Sequence, residues 1–178
     1  MPAPFPVELK DHDPAWAEQA YREAARLMTA MGRSVIAVHH IGSTAIPGIR
    51  AKPILDLMPV VSDLAEFEKL RPAVEDLGYV WWGEYGLEGR RYCTLDDPLT
   101  VRRQVQLHCY GQGSSEITRH LAFRDYLRSH PDLAHAYDME KVRCRDRHPL
   151  DSHAYGDCKS ALVQKIEAEA LSTLVGKA

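Results

Sequence analysis

Apolar residues recur in two different periods along the first third of the chain, and each period predicts a different element. Between residues 16 and 31 they recur every three or four positions, which is the spacing of one face of an α-helix. Asp13 and Pro14 stand just before this segment, and both residue types favour a helix N-terminus. Residues 35–41 and 54–61 are short, mostly apolar runs rich in β-branched side chains, which predict two strands.

The middle of the chain predicts one more helix and three more strands. Asp63 and Glu66 form a capping-box pattern, which predicts a helix that runs towards residue 78 and bends at Pro72. The strands are predicted over residues 79–82, 91–95 and 101–110. Side chains of the last strand alternate between two faces, one of which carries Gln104, Gln106 and His108.

The last third of the chain predicts helices over residues 115–129, over residues 131–147 and from Ser152 onwards, with Ser115 as the N-cap of the first. We therefore expect an α/β fold in which a mixed β-sheet core, about residues 1–112, precedes a helical C-terminal part, about residues 113–178. The sequence contains no repeat and no linker, so we expect residues 1–178 to form one domain.

Composition and charge narrow the range of functions. The formal net charge is −3, whereas proteins that grip a nucleic-acid backbone are usually basic, so we expect no bulk nucleic-acid binding. No apolar segment reaches the length of a membrane span, and residues 1–9 lack the features of a signal peptide. Four scattered cysteines without a Cys-x-x-Cys pair are typical of reduced thiols in a cytoplasmic protein and do not indicate a zinc site.

The loop between the first two predicted strands is the first candidate site. It begins with Gly42, Ser43 and Thr44 and ends at Gly48. Glycine lets the backbone approach a ligand closely, and successive N–H groups with hydroxyls can bind an anion. It is not a P-loop, because no Lys-Ser or Lys-Thr follows Gly48. The alternative is a turn that needs glycine for its geometry alone.

Asp56 is the second candidate, because every other residue from Pro53 to Val61 is apolar. A buried carboxylate is costly unless it is paired, hydrogen-bonded or bound to a metal. We interpret Asp56 as a functional carboxylate; the alternative is a structural aspartate that pairs with a backbone N–H group or a nearby arginine.

Four more residues are candidates for binding a phosphorylated ligand. Lys52 precedes the Asp56 strand and Arg91 opens another strand, and either cation can bind a phosphate. Tyr155 and Lys159 lie one helical turn apart and therefore face the same way. For each of them the alternative is an ordinary solvated or helix-flanking side chain.

The segments HIGSTAIPG and AKPILDLMPVV resemble the GrpB family, small bacterial proteins assigned to the nucleotidyltransferase-fold superfamily of DNA polymerase β. The resemblance begins at Asp13-Pro14-Ala15-Trp16, continues through the strand Gln106-Leu107-His108 and the run His120 to Arg128, and ends at Tyr155-Gly156-Asp157-Cys158-Lys159. It implies a nucleotidyltransferase-like core. Some members are fused to dephospho-CoA kinase, which points towards coenzyme A metabolism.

The resemblance also implies roles for individual residues. Gly42 and Ser43, with Thr44 beside them, would hold phosphates, and Asp56 would bind a divalent metal, Mg²⁺ or Mn²⁺. The superfamily normally places a second acid two residues later, where this chain has Met58, which cannot bind a hard cation. The superfamily also has a third acid, and its nearest equivalent in this chain is His108. An imidazole can act as a general base or as an auxiliary metal ligand.

The resemblance implies that the protein binds a nucleotide or a nucleotide-like phosphometabolite. If the protein is an enzyme, the resemblance implies metal-dependent nucleotidyl or phosphoryl transfer. The alternative is a non-catalytic ligand-binding or regulatory module on a degenerate nucleotidyltransferase fold, and Met58 favours it. Metal dependence separates the two, because transfer chemistry needs a cation that neutralises phosphate charge.

Overall fold

The structure is a computed structural model, and it describes residues 3–176. The helices are α1 (Ala15–Met31), α2 (Leu64–Glu68), α3 (Arg71–Asp76), α4 (Ser115–Ser129), α5 (Pro131–Arg147) and α6 (Ser152–Val175). The strands are β1 (Val35–Ile41), β2 (Leu55–Val61), β3 (Val80–Trp81), β4 (Arg90–Asp96) and β5 (Arg103–Gly111). The mixed α/β fold expected from the sequence is confirmed, while the division into a core and a helical part stays a prediction.

The five strands form one mixed sheet in the order β1-β2-β5-β4-β3. Strands β2 and β5 run parallel, and the other neighbours run antiparallel. A parallel pair cannot be joined by a hairpin, and here the connection contains α2, α3, β3 and β4. Strand β5 is therefore inserted between two strands that precede it in the chain.

One face of the sheet packs against α1, α2 and α3 to form the main core. Leu57 and Leu107 come from the sheet, Leu27 from α1, and Phe67 and Val74 from α2 and α3, and all five are fully buried. On a strand every second side chain points to the same face, so this face takes alternate residues of β2 and β5, among them Leu57 and Leu107. The Asp56 side chain consequently points to the other face.

The other face is covered by the C-terminal helices. Ile41, Met58 and Tyr110 from the sheet pack with Ile117 and Leu121 of α4. Helices α4, α5 and α6 form a second core together with the β1–β2 loop, and its buried residues are Ile46, Ile49, Phe123, Leu127, Ala134, Tyr137 and Ile166. None of the helices within residues 3–176 combines the length and apolarity needed to cross a membrane.

Side-chain caps fix where several helices begin. Asp13 accepts a hydrogen bond from the Ala15 N–H at 2.9 Å, as the helix-start pattern predicts. The helix predicted up to residue 78 is divided into α2 and α3, because Pro72 occupies the first turn of α3. The N-cap of α4 is Ser114, whose hydroxyl accepts from Glu116 N–H at 3.3 Å, and not Ser115 as predicted.

The expectation of four reduced thiols is wrong for two cysteines. Cys144 of α5 and Cys158 of α6 form a disulfide, whereas Cys93 and Cys109 are free and buried. The two helices form a hairpin that brings the Cα atoms of Cys144 and Cys158 to 5.7 Å, within the range that a disulfide requires. A sequence separation of 14 residues does not reveal this pairing without the helix register.

Candidate functional site

A cleft with a volume of about 330 Å³ lies between the sheet face that carries Asp56 and the three C-terminal helices. The sheet side contributes Gly42, Ser43, Thr44, Lys52, Asp56, Gln106 and His108. The helical side contributes Arg119, His120, Tyr137, Lys141, Tyr155, Lys159 and Glu167. The structure thus brings together all the candidate residues named from the sequence except Arg91, and their functional roles stay predictions.

Gly42 lies directly against the Asp56 carboxylate because Ile41 and Asp56 are partners across β1 and β2. Its backbone has φ 70° and ψ −171°, a combination that is essentially restricted to glycine. A Cβ atom at this position would lie 2.5 Å from Asp56 Oδ2. Glycine is therefore required twice here, for the backbone turn and for access to the carboxylate.

The hydroxyls of the loop have different environments. Thr44 is buried, and its hydroxyl is 2.8 Å from His40 Nε2, so it is engaged within the protein. Ser43 is partly exposed, and its Oγ is 3.4 Å from the Tyr137 hydroxyl. Burial lowers the pKa of His40 to about 4, which keeps this ring neutral at pH 7. Ser43 is therefore the more accessible hydroxyl for a ligand.

Asp56 and His108 meet at the centre of the sheet wall. The side chain of Asp56 is 29% exposed, and its Oδ1 lies 3.4 Å from His108 Nε2. Burial raises the pKa of the Asp56 carboxyl, but the contact with His108 and the charge of Lys52 outweigh it, so the net pKa lies below the usual range. Asp56 is consequently ionised at neutral pH.

The second ring nitrogen of His108 is enclosed by the protein. This atom, Nδ1, is buried and has no hydrogen-bond partner among the described residues. The His108 ring lies between the rings of Tyr92 and His120, with centroids 5.4 and 5.8 Å away. Burial, and then the neighbouring Arg119 charge, lower the pKa of His120 to about 3, so His120 is neutral at pH 7.

Three lysines line the cleft: Lys52 comes from the sheet side, and Lys141 and Lys159 come from the helical side. The ammonium groups of Lys52 and Lys159 each lie 5.6 Å from the centroid of the Tyr155 ring. Burial and then the charge of Lys159 lower the pKa of Lys52 to about 8, although Asp56 opposes this change. Burial lowers the pKa of Lys141 to about 7, and Lys159 adds to this effect while Asp138 counteracts it. The arrangement concentrates positive charge in a small volume.

Arg91 does not lie in the cleft, and the expectation that it binds the same ligand is wrong. It pairs with Cys109 across β4 and β5, on the face that packs against α2. Its guanidinium contacts the Glu68 and Glu84 carboxylates. Strand alternation places Tyr92, the next residue, on the cleft face instead.

The cleft residues that sequence reasoning missed include Arg119, His120 and Lys141. Arg119 contacts Glu116 and Glu167, and Lys141 donates a hydrogen bond to the Arg50 carbonyl oxygen. His120 and Lys141 stand in segments that predict ordinary amphipathic helices. The signal for both was a polar side chain on a buried helix face, which becomes visible once the helix register is known.

The residues around Asp56 offer one carboxylate to a hard cation. Met58, at the position of the second acid, is fully buried between Ile41 and Tyr110. Among the described residues, the one cluster of three metal-ligating groups is Glu140 with Cys144 and Cys158, whose sulfurs form the disulfide. Asp56 and His108 therefore fit a divalent cation only if a bound ligand supplies further oxygen atoms.

Comparisons with known proteins decide the family. The model of the family described as GrpB protein matches residues 6–169. The chain belongs to the GrpB family. A crystal structure of GrpB from Enterococcus faecalis superposes with a TM-score of 0.88 at 38% identity, covering 94% of this chain and 99% of that one. The GrpB family that the resemblance named is thus confirmed, and the mixed α/β fold of this chain is that of a GrpB crystal structure.

Two further relatives of this GrpB chain are longer proteins. UPF0157 protein YqkA of Bacillus subtilis is 37% identical over 92% of this chain, which spans 47% of YqkA. A protein named dephospho-CoA kinase from Mycolicibacterium paratuberculosis is 40% identical over 84% of this chain and 42% of its own length. The GrpB unit thus occurs in these relatives as about half of a larger chain.

Proposed function

We propose that the cleft binds a nucleotide or a nucleotide-like phosphometabolite through its phosphate groups. The observation that carries this proposal is the pair Lys52 and Lys159. Neither ammonium group has an ion pair or a hydrogen bond among the described residues, and both face the ring of Tyr155. Like charges brought together in a partly buried cleft repel each other, and a bound polyanion removes this repulsion.

The Gly42 turn and Asp56 define the other end of the bound phosphates. Ser43 offers a hydroxyl and the loop offers backbone N–H groups for phosphate oxygens. A carboxylate beside a phosphate site needs a cation between the two anions, so we assign Asp56 the role of anchoring Mg²⁺ or Mn²⁺ together with phosphate oxygens. Such a cation would neutralise charge on the phosphate. His108 holds Asp56 in place and is the candidate general base.

Two functions remain candidates beyond binding. Ionised Asp56 and the His108 ring beside it favour nucleotidyl or phosphoryl transfer. Fully buried Met58 favours a non-catalytic ligand-binding or regulatory module, because the second carboxylate of a two-metal site is replaced by apolar packing. The relative named dephospho-CoA kinase supports a nucleotide-like ligand for either function, since dephospho-CoA is itself a nucleotide derivative.

Calorimetric titration with ATP and with inorganic triphosphate tests the binding proposal. Lys159→Ala removes one charged contact with phosphate and should weaken binding of both by about 10- to 100-fold. The matched control is Lys165→Ala, which removes an exposed lysine of the same helix outside the cleft. Equal affinities of the two variants for ATP would contradict the proposal.

The same titration with and without divalent metal separates enzyme from binding module. A transferase requires Mg²⁺ or Mn²⁺ and releases product when an acceptor is present, whereas a binding module retains its ligand in the presence of a chelator. The pH dependence gives a further check. Since the pKa of Lys52 is about 8, affinity for phosphate should fall as the pH rises above that value and the lysine loses its charge.

A further inference from the structure

A second cavity, with a volume of about 560 Å³, opens beside the cleft. It is bounded by the N-terminal segment from Ala3 to Pro6, by Trp82 of the β3–β4 connection and by the loop that carries Val101. Lys52 and Ile54 line both cavities. The two spaces therefore meet at the lysine to which we have assigned phosphate binding.

Both cavities lie along the same face of the sheet. Asp56 pairs with Gln106, and Gln106 pairs with Thr94 on the next strand. The indole Nε1 of Trp82 donates a hydrogen bond to the Thr94 hydroxyl at 2.8 Å. This row crosses two strand spacings, so Thr94 lies on the order of 10 Å from Asp56, with the Trp82 indole beside it. That span is comparable to the separation of the base and the terminal phosphates in a nucleotide.

The second cavity differs from the cleft in its charges. Its Arg103 pairs with Asp96, and its Arg102 pairs with Glu8. Lys52, at the junction, has no ion pair among the described residues. An anion would thus bind at the junction, and the rest of the cavity suits an uncharged group.

Apolar side chains form a large part of the wall of the second cavity. Phe5 lies with its ring centroid 5.1 Å from Lys52 Nζ, and its backbone N–H donates to the Ser152 hydroxyl at 3.2 Å, which fixes the N-terminal segment on α6. Val101 is 77% exposed and has φ 58°, a strained conformation for a β-branched residue. An apolar side chain is therefore held at the rim at a cost in backbone energy.

We propose that this second cavity binds the aromatic base of the nucleotide whose phosphates occupy the cleft, with the base stacked against Trp82. This inference rests on the proposed function. The cleft accounts for the phosphates of the ligand, and the second cavity accounts for its base. Aromatic side chains bind bases by stacking, and ligand pockets combine apolar walls with a few polar groups. Lys52 joins the two parts of the site.

The test compares ATP with inorganic triphosphate, which has the same charged groups and no base. Trp82→Leu should weaken binding of ATP about tenfold and leave binding of triphosphate unchanged within about twofold. ATP should also change tryptophan fluorescence, whereas triphosphate should not. Tyr21→Leu is the matched control, since it removes an exposed aromatic side chain of α1 that lines neither cavity.

A second variant covers the case in which Trp82→Leu does not fold. Val101→Gly removes the apolar side chain from the rim and suits φ 58°, so it should be at least as stable as the parent and yet bind ATP more weakly. Equal losses for ATP and triphosphate, or unchanged ATP binding in both variants, would overturn the base site. If the parent protein binds triphosphate as tightly as ATP, the phosphate site stands and only the base site fails. If it binds neither, the proposed function fails and the base site with it.

Discussion

The two faces of the sheet carry very different side chains on the same three strands. On the face towards α1, α2 and α3, positions such as Leu57, Leu107 and Cys93 are apolar and fully buried. On the face towards the C-terminal helices, several adjacent positions are polar or ionised, as Asp56 and His108 show, although Met58 is apolar. Alternation along a strand allows one segment to serve both purposes, because neighbouring residues never share a face.

This difference between the faces predicts which substitutions change the stability of the fold and which change ligand binding at the site. Changes on the core face should lower the free energy of unfolding strongly. Changes on the cleft face should alter ligand binding with a smaller effect on stability. The following four variants test this separation, in order of decreasing effect on the free energy of unfolding.

Leu107→Ala should have the largest effect. Leu107 is fully buried at the centre of the core face, so truncation leaves a cavity and should cost about 2–5 kcal/mol. Urea denaturation followed by circular dichroism measures the change. A loss under about 1 kcal/mol, the size typical of tolerated substitutions, would mean that the core face is not the main source of stability.

Gly42→Ala should come second and should affect both properties. The added Cβ would lie 2.5 Å from Asp56 Oδ2 and the backbone has φ 70°, so we expect a cost on the order of 1–3 kcal/mol together with loss of ligand binding. Gly48→Ala is the matched control: it also has positive φ, but a Cβ there meets no atom within 4 Å. If both variants bind ligand equally well, contact with Asp56 is not what Gly42 is needed for.

Acidification should lower stability through the neutral histidines of the cleft. The pKa of His120 is about 3 in the folded protein and near 6.5 when exposed, so between these values the unfolded chain binds more protons. The free energy of unfolding should therefore fall as the pH drops below about 6.5, by up to about 1.4 kcal/mol per pH unit for this residue. His120→Gln should flatten the pH dependence in thermal melts; an unchanged slope would show that His120 does not contribute.

Asp56→Asn should have the smallest effect on stability and a large effect on function. Asparagine keeps the shape and removes the charge, and no buried arginine depends on this carboxylate within the described residues, so the melting temperature should stay the same or rise slightly. Metal-dependent ligand binding should be lost. Thermal melts and calorimetry with and without Mg²⁺ or Mn²⁺ check this, with exposed Asp76→Asn as control. A marked fall in melting temperature with ligand binding intact would make Asp56 a structural residue.

Local patterns in the sequence predicted the elements well. Strand β1 and helices α4 and α5 have the predicted bounds, because β-branched runs and helix-start residues act over a few neighbouring positions. The meeting of the Gly42 loop with Asp56 also followed from the order of loop and strand. The alternating pattern of β5 correctly placed His108 on the face of Gln106, which faces the cleft.

Contacts between distant elements were not predictable in the same way. Arg91 was assigned to the cleft because strand β4 was recognised without its register against β5, and a shift of one residue moves a side chain to the opposite face. Lys141 and the Cys144–Cys158 disulfide depend on how α5 and α6 pack against each other. That packing is determined by the whole set of buried side chains, so a single segment carries little information about it.

The position of β5 has a consequence for the order in which the protein is completed on the ribosome. Strands β1 and β2 and the pair β3 and β4 leave the exit tunnel first, but β5 lies between β2 and β4 and follows them in the chain. Until Gly111 has emerged, the nascent chain has unpaired edges on both halves of its sheet, and such edges favour association with other chains. Strand β5, which brings His108 to Asp56, is therefore also the strand that pairs with both exposed edges once it has emerged.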